Sequence, residues 1–125
     1  MYAEAIALGE NHLKAEPESQ LFLRLVGYAC AKAGRRHEAE NVMMKFRKIA
    51  ETRYVMSYWV AAIYAALGDK DKAFAELERA FADHDWELHR LKVDPFMNSL
   101  RDDPRFDEMV KRIGLFTVAE ECNDL

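Results

Sequence analysis

Val26-Gly27-Tyr28-Ala29-Cys30-Ala31-Lys32-Ala33-Gly34-Arg35-Arg36-His37-Glu38-Ala39 aligns with Val60-Ala61-Ala62-Ile63-Tyr64-Ala65-Ala66-Leu67-Gly68-Asp69-Lys70-Asp71-Lys72-Ala73 at an offset of 34 residues. The small residues recur in register: Gly27 on Ala61, Gly34 on Gly68, Ala39 on Ala73. A period in this range is the mark of stacked helical hairpins, each too small to bury its own apolar face and completed by its neighbours. Small residues at matched points let helix backbones approach where a leucine would hold them apart. Gly34 and Gly68 supply the left-handed residue that ends a helix, and Asp69 is placed to cap the next one.

Another step of 34 back from Ala39 reaches Ala5, in an apolar stripe that ends before Pro17. The spacing predicts a helix from Tyr2 to Ala15 that lacks its partner, a half unit. In the helix after Gly68, Ala73, Leu77, Ala80 and Phe81 make a buried face, and Lys70, Lys72, Glu76 and Arg79 a wet one. Val55 to Leu67 is apolar except for Ser57. That window is too short to span a bilayer and reads as a helix buried on both sides.

With Gly27, Gly34, Ala39 and Phe46 in one unit and Tyr64, Gly68, Ala73 and Ala80 in the next, residues 2 to 85 resemble the tetratricopeptide repeat. Cys30 stands where that family usually has an aromatic residue, Ser57 where a large one is common, and the closing proline is kept only at Pro17. The resemblance implies an all-α fold, a right-handed α-solenoid of antiparallel helix pairs with about two and a half units. The divisions are 2–17 (half repeat), 20–53, 54–87, and 88–125 as C-terminal capping helices in one domain. The run from Leu91 to Phe96, with Leu100 to Phe106 and Gly114-Leu115, is similar to the ending of tetratricopeptide arrays at the C-terminal end of bacterial signalling proteins.

Asp94-Pro95 and Asp103-Pro104 each match an N-cap with proline at the first helical position. The second is expected to open a helix with Phe106, Met109, Val110 and Ile113 as its apolar stripe, stopping at Gly114. From Ala82 to Val93 a turn and a short helix are expected, with Trp86 plugging the join to the cap. Leu115 and Phe116 are expected to dock back onto the array, and Glu120, Glu121 and Asp124 to fray.

Half of the residues are apolar and 32% charged, with a net charge of −4. That composition is globular, and the acidic balance argues against nucleic acid or an anionic membrane as partner. Arg35, Arg36 and His37 form a solvated corner rather than a basic stripe. Glu4 and Glu10 near the start are unlike a secretory leader. Two distant cysteines, Cys30 and Cys122, fit a reducing cytoplasm, with Cys30 a small buried hydrophobe.

The sequence contains no phosphate loop, nucleophile elbow or paired-cysteine motif. His84, Asp85, Glu87 and His89 cluster, but the histidines are five apart and diverge on a helix. No catalysis, cofactor or metal is expected. The family's ligands lie in the concave groove of the first helices, which here places Leu21, Arg24, Leu25 and Tyr28 beside Val55, Tyr58, Trp59 and Ala62. Tyrosine and tryptophan are common energetic anchors, and such a groove suits a peptide or helix with an apolar anchor. The same spacing is that of plain packing residues. A clamp for terminal carboxylates needs several cationic and amide side chains, and only Arg24 stands there. The expectation is a protein-binding module, a fragment or regulatory part of a larger bacterial protein; the alternative is self-assembly, as a homodimer, through the bare first helix.

Overall fold

A computed structural model describes residues 2–123, with side chains described through residue 114. Six α-helices, α1 (Tyr2–Ala15), α2 (Gln20–Lys32), α3 (Arg36–Ala50), α4 (Ser57–Leu67), α5 (Lys70–Ala82) and α6 (Pro104–Asn123), are joined by two 3₁₀ helices, η1 (Trp86–Arg90) and η2 (Pro95–Leu100). The fold is all-α, with no strand among the described residues. None of these helices is long and apolar enough to cross a membrane.

The turns recur as the sequence does. After α2, Gly34 sits at φ +81°, Gly34 N–H donates to Ala31 and Arg35 N–H to the Cys30 carbonyl. After α4 the same pair is made by Gly68 (φ +83°) on Ala65 and Asp69 on Tyr64. Both satisfy carbonyls that a helix end leaves bare, at a conformation only glycine adopts without strain. A third copy closes α5, with His84 in the left-handed role at φ 55° and Asp85 N–H on Ala80. Asp69 then caps α5 through its side chain on Lys72 N–H.

Packing follows from the small residues. A Cβ at Gly27 would lie 2.8 Å from Ile63 Cδ1 and 2.9 Å from Val42 Cγ1, so α2 meets α3 and α4 where only glycine fits. Ala39, Ala61 and Ala73, the other small residues of the pattern, are fully buried. Three hydrogen bonds link residues 34 apart: Gln20 to the Tyr54 carbonyl, Ser99 to the Ala65 carbonyl and Arg112 to Glu78. They tie α2 to the segment before α4, α4 to η2, and α5 to α6. One core runs through all of them, from Ile6 through Phe46, Ile63 and Leu77 to Leu100 and Met109.

Several expectations need correction. Ala5 is exposed, and α1 buries Ile6 and Gly9 instead, because no described helix packs on the Ala5 side, where Leu8 is 62% exposed. Trp86 plugs nothing: it is 75% exposed and lies against His89 at 4.7 Å. The join is filled instead by Leu88, Leu91, Met97 and Leu100, all buried. The last helix runs through Gly114, where an added Cβ would meet open space. Both Asp-Pro steps cap helices, although the one at Asp94 opens a 3₁₀ turn. The side chains of Leu115, Phe116, Glu120, Glu121 and Asp124 lie outside those described.

Candidate functional site

The face shared by α2 and α4 gathers most of the residues read from the sequence. Arg24, Leu25, Tyr28, Tyr58, Trp59 and Ala62 line one slot, closed on its far side by Arg90, Asp94 and Phe96 of the segment from η1 to η2. The free space left is about 10 Å³, barely that of one water. Val55 is the exception: it faces a cleft on the opposite side of α4. Leu21, one turn before Leu25 on α2, lies outside the slot and is 46% exposed, with Leu25 at 42%.

The chain's own 3₁₀ segment therefore occupies much of the face. Phe96 rests on Tyr28 at 4.4 Å between ring centres. Tyr58 donates its hydroxyl to Asp94 Oδ2 at 2.5 Å, while Asp94 Oδ1 accepts from Phe96 N–H at 3.0 Å. Both partners are buried, Tyr58 at 2% and Asp94 at 3% exposure. Burial, reinforced by the bond to Asp94, holds the Tyr58 phenol far above its usual range. Ser99 bonds the Ala65 carbonyl, and Arg101 bridges the Lys92 and Asp94 carbonyls, which fixes the loop between η1 and η2. Tyr58 and Ala62 serve this internal packing and are closed to a ligand in this arrangement.

At the open end, the Arg24 guanidinium lies over the Trp59 ring at 4.1 Å. Its Nε and the Trp59 Nε1 are buried without a hydrogen-bond partner. Burial lowers the Arg24 pKa from its ordinary value, outweighing the opposing fields of Glu87 and Asp94.

The cluster of His84, Asp85, Glu87 and His89 does architectural work. Asp85 is buried, caps η1 through Glu87 N–H at 3.0 Å and accepts from Tyr58 N–H at 3.4 Å, tying η1 to the start of α4. Burial raises its pKa. Glu87 pairs with Arg90. Among the described residues no group of three or more His, Cys, Asp or Glu side chains is placed to hold a metal ion.

Sequence reasoning missed two features. Asp94 and Phe96 complete the slot; the Asp-Pro step pointed to a cap, but not to the tyrosine beneath it. The second is a cleft of about 560 Å³ between α3, α4 and α5, lined in part by Arg47, Tyr54, Val60 and Arg79. Its lining residues come mostly from three helices and carry no motif. No family model matches this chain, and neither a curated protein nor a solved structure does.

Proposed function

We propose that this chain is a non-catalytic protein-interaction module, a tetratricopeptide-like solenoid that takes a peptide or helix of a partner protein on the face of α2 and α4. The observation that carries this reading is the pair Leu21 and Leu25, exposed one helical turn apart, with Leu25 sharing a slot with Trp59 on a face otherwise packed shut. Exposed apolar side chains grouped next to an aromatic are what a helix-in-groove partner buries. Support for the solenoid comes from the repeated glycine turns and from the hydrogen bonds between residues 34 apart. A place in a larger bacterial cytoplasmic protein belongs to the same reading, to which the free thiol of Cys30 is suited.

Self-assembly is the second reading, favoured by Leu8 on the uncovered side of α1. Affinity capture from native lysate separates the two. The baits are the wild-type chain, Leu21→Glu with Leu25→Glu, and Leu8→Glu. A protein held by the wild type and lost from the double variant alone supports the groove. Recovery of the chain's own copies, lost only with Leu8→Glu, replaces it with self-assembly.

A further inference from the structure

Arg24 differs from every other arginine of the chain. Among the described residues Arg47 reaches the Tyr64 hydroxyl, Arg101 the carbonyls of Lys92 and Asp94, and the others a carboxylate. Arg24 has none of these: it lies on Trp59 with a buried, unpartnered Nε. The two carboxylates whose fields reach it are committed elsewhere. Glu87 is held by Arg90 at 3.1 Å, and Asp94 by Tyr58 and Phe96.

A half-buried cation without an acceptor is an unfavourable arrangement that an incoming carboxylate would relieve. The guanidinium already rests over the Trp59 ring, 4.1 Å from its centre, so part of its freedom is spent before a carboxylate arrives. Leu21 and Leu25 lie exposed within one turn of it on the same helix. Building on the groove reading above, we infer that the occupant is a partner segment that presents an Asp or Glu side chain to Arg24 and, within one helical turn, a large apolar side chain to Leu21 and Leu25. An internal carboxylate is specified rather than a chain terminus, because the only other cation in the slot, Arg90, is already paired.

The test is selection from a displayed library of random dodecapeptides on the immobilised full chain, beside Arg24→Glu and Leu21→Ala/Leu25→Ala baits. Wild type should enrich Asp or Glu within four residues of Leu, Ile, Phe or Met, and Arg24→Glu should enrich Lys or Arg there instead. A selected peptide, resynthesised, should lose about tenfold in affinity when its carboxylate becomes an amide, and that loss should vanish against Arg24→Gln. Circular dichroism confirms that each bait is folded; Arg24→Gln carries the comparison if Arg24→Glu is not. Peptides that need Leu21 and Leu25 but ignore Arg24 overturn the carboxylate inference and leave the groove standing. Absence of enrichment, or enrichment indifferent to the leucines, overturns both. Concentration-dependent association in sedimentation, broken by Arg24→Glu and restored by adding Glu4→Arg, makes the occupant a second copy through α1 and overturns the partner assignment.

Discussion

Removing the Tyr58 hydroxyl should loosen the segment from η1 to η2 that packs on α2 and α4 while leaving the helices intact. Tyr58→Phe keeps the ring in the core and deletes one donor, the short bond to Asp94. Asp94 then keeps its bond from Phe96 N–H but loses its charge-assisted donor in a site that water does not reach. Bonds to charged groups contribute about 1.5–3 kcal/mol, and stranding a buried acceptor lies within that range, so about 2 kcal/mol is expected. For a chain of 125 residues the unfolding entropy translates this into a midpoint roughly 8 °C lower. Thermal melts by circular dichroism measure it, and a cycle with Asp94→Ala should give a coupling of at least 1 kcal/mol. The phenol adds a pH signature. Its folded pKa is raised above the unfolded value, so its contribution is complete below about pH 10 and is lost as pH rises toward the folded value. Wild type should therefore lose more stability than Tyr58→Phe in alkali. A Tyr58→Phe protein melting within 1 °C of wild type, or additive effects in the cycle, would refute the latch.

Gly27→Ala should destabilise by about 1–3 kcal/mol through overpacking, and by about 1 kcal/mol less in an Ile63→Val background, because the Cδ1 atom it meets is then gone; denaturant midpoints measure both. Cys30, its thiol pushed up to about 11 by burial and by the neighbouring Glu38, should react at pH 8 only as fast as the protein opens when Cys122 is replaced by Ser. A disulfide reagent reads this, and rapid labelling would contradict the burial. Asp103 is held down at about 2 by its bonds to Arg105, so its stabilising contribution is present above the ordinary carboxylate range and disappears as pH falls toward 2. Acid titration of the Arg105 amide resonance should reveal that loss, and Asp103→Ala should abolish the transition.

Local chemistry made the turns legible and long-range packing made the ends less so. Gly34, Gly68 and Asp69 act through bonds to residues within one turn, and their roles could be read from identity and spacing alone. Ala5 is read wrongly by the same rule, since a small residue is buried only if another helix arrives to cover it, and that depends on what lies beyond the segment itself. Trp86 fails for a related reason: size and hydrophobicity argue for burial, but η1 turns its Leu88 inward and leaves the indole outside. Gly114 shows that glycine ends a helix only when something favours leaving it.

The slot teaches the sharper lesson. Of the eight residues expected to share a face, Arg24, Leu25, Tyr28, Tyr58, Trp59 and Ala62 line one slot, while Leu21 lies outside it and Val55 faces another cleft. Periodicity places residues on a face without saying what already covers it, and here Phe96 rests on Tyr28 while Asp94 bonds Tyr58. A groove closed at depth and open at its rim constrains recognition differently from an empty one. A partner cannot use Tyr58 or Ala62 without displacing η2, whose Met97 and Leu100 are buried in the common core. Displacement would expose both side chains at about 1.5–3 kcal/mol each, beyond the loss of the Tyr58 bond, so the segment is a fixed wall rather than a removable plug. If the proposed partner binds here, its selectivity falls to the rim, where Leu21 and Leu25 are exposed and Arg24 lies over Trp59.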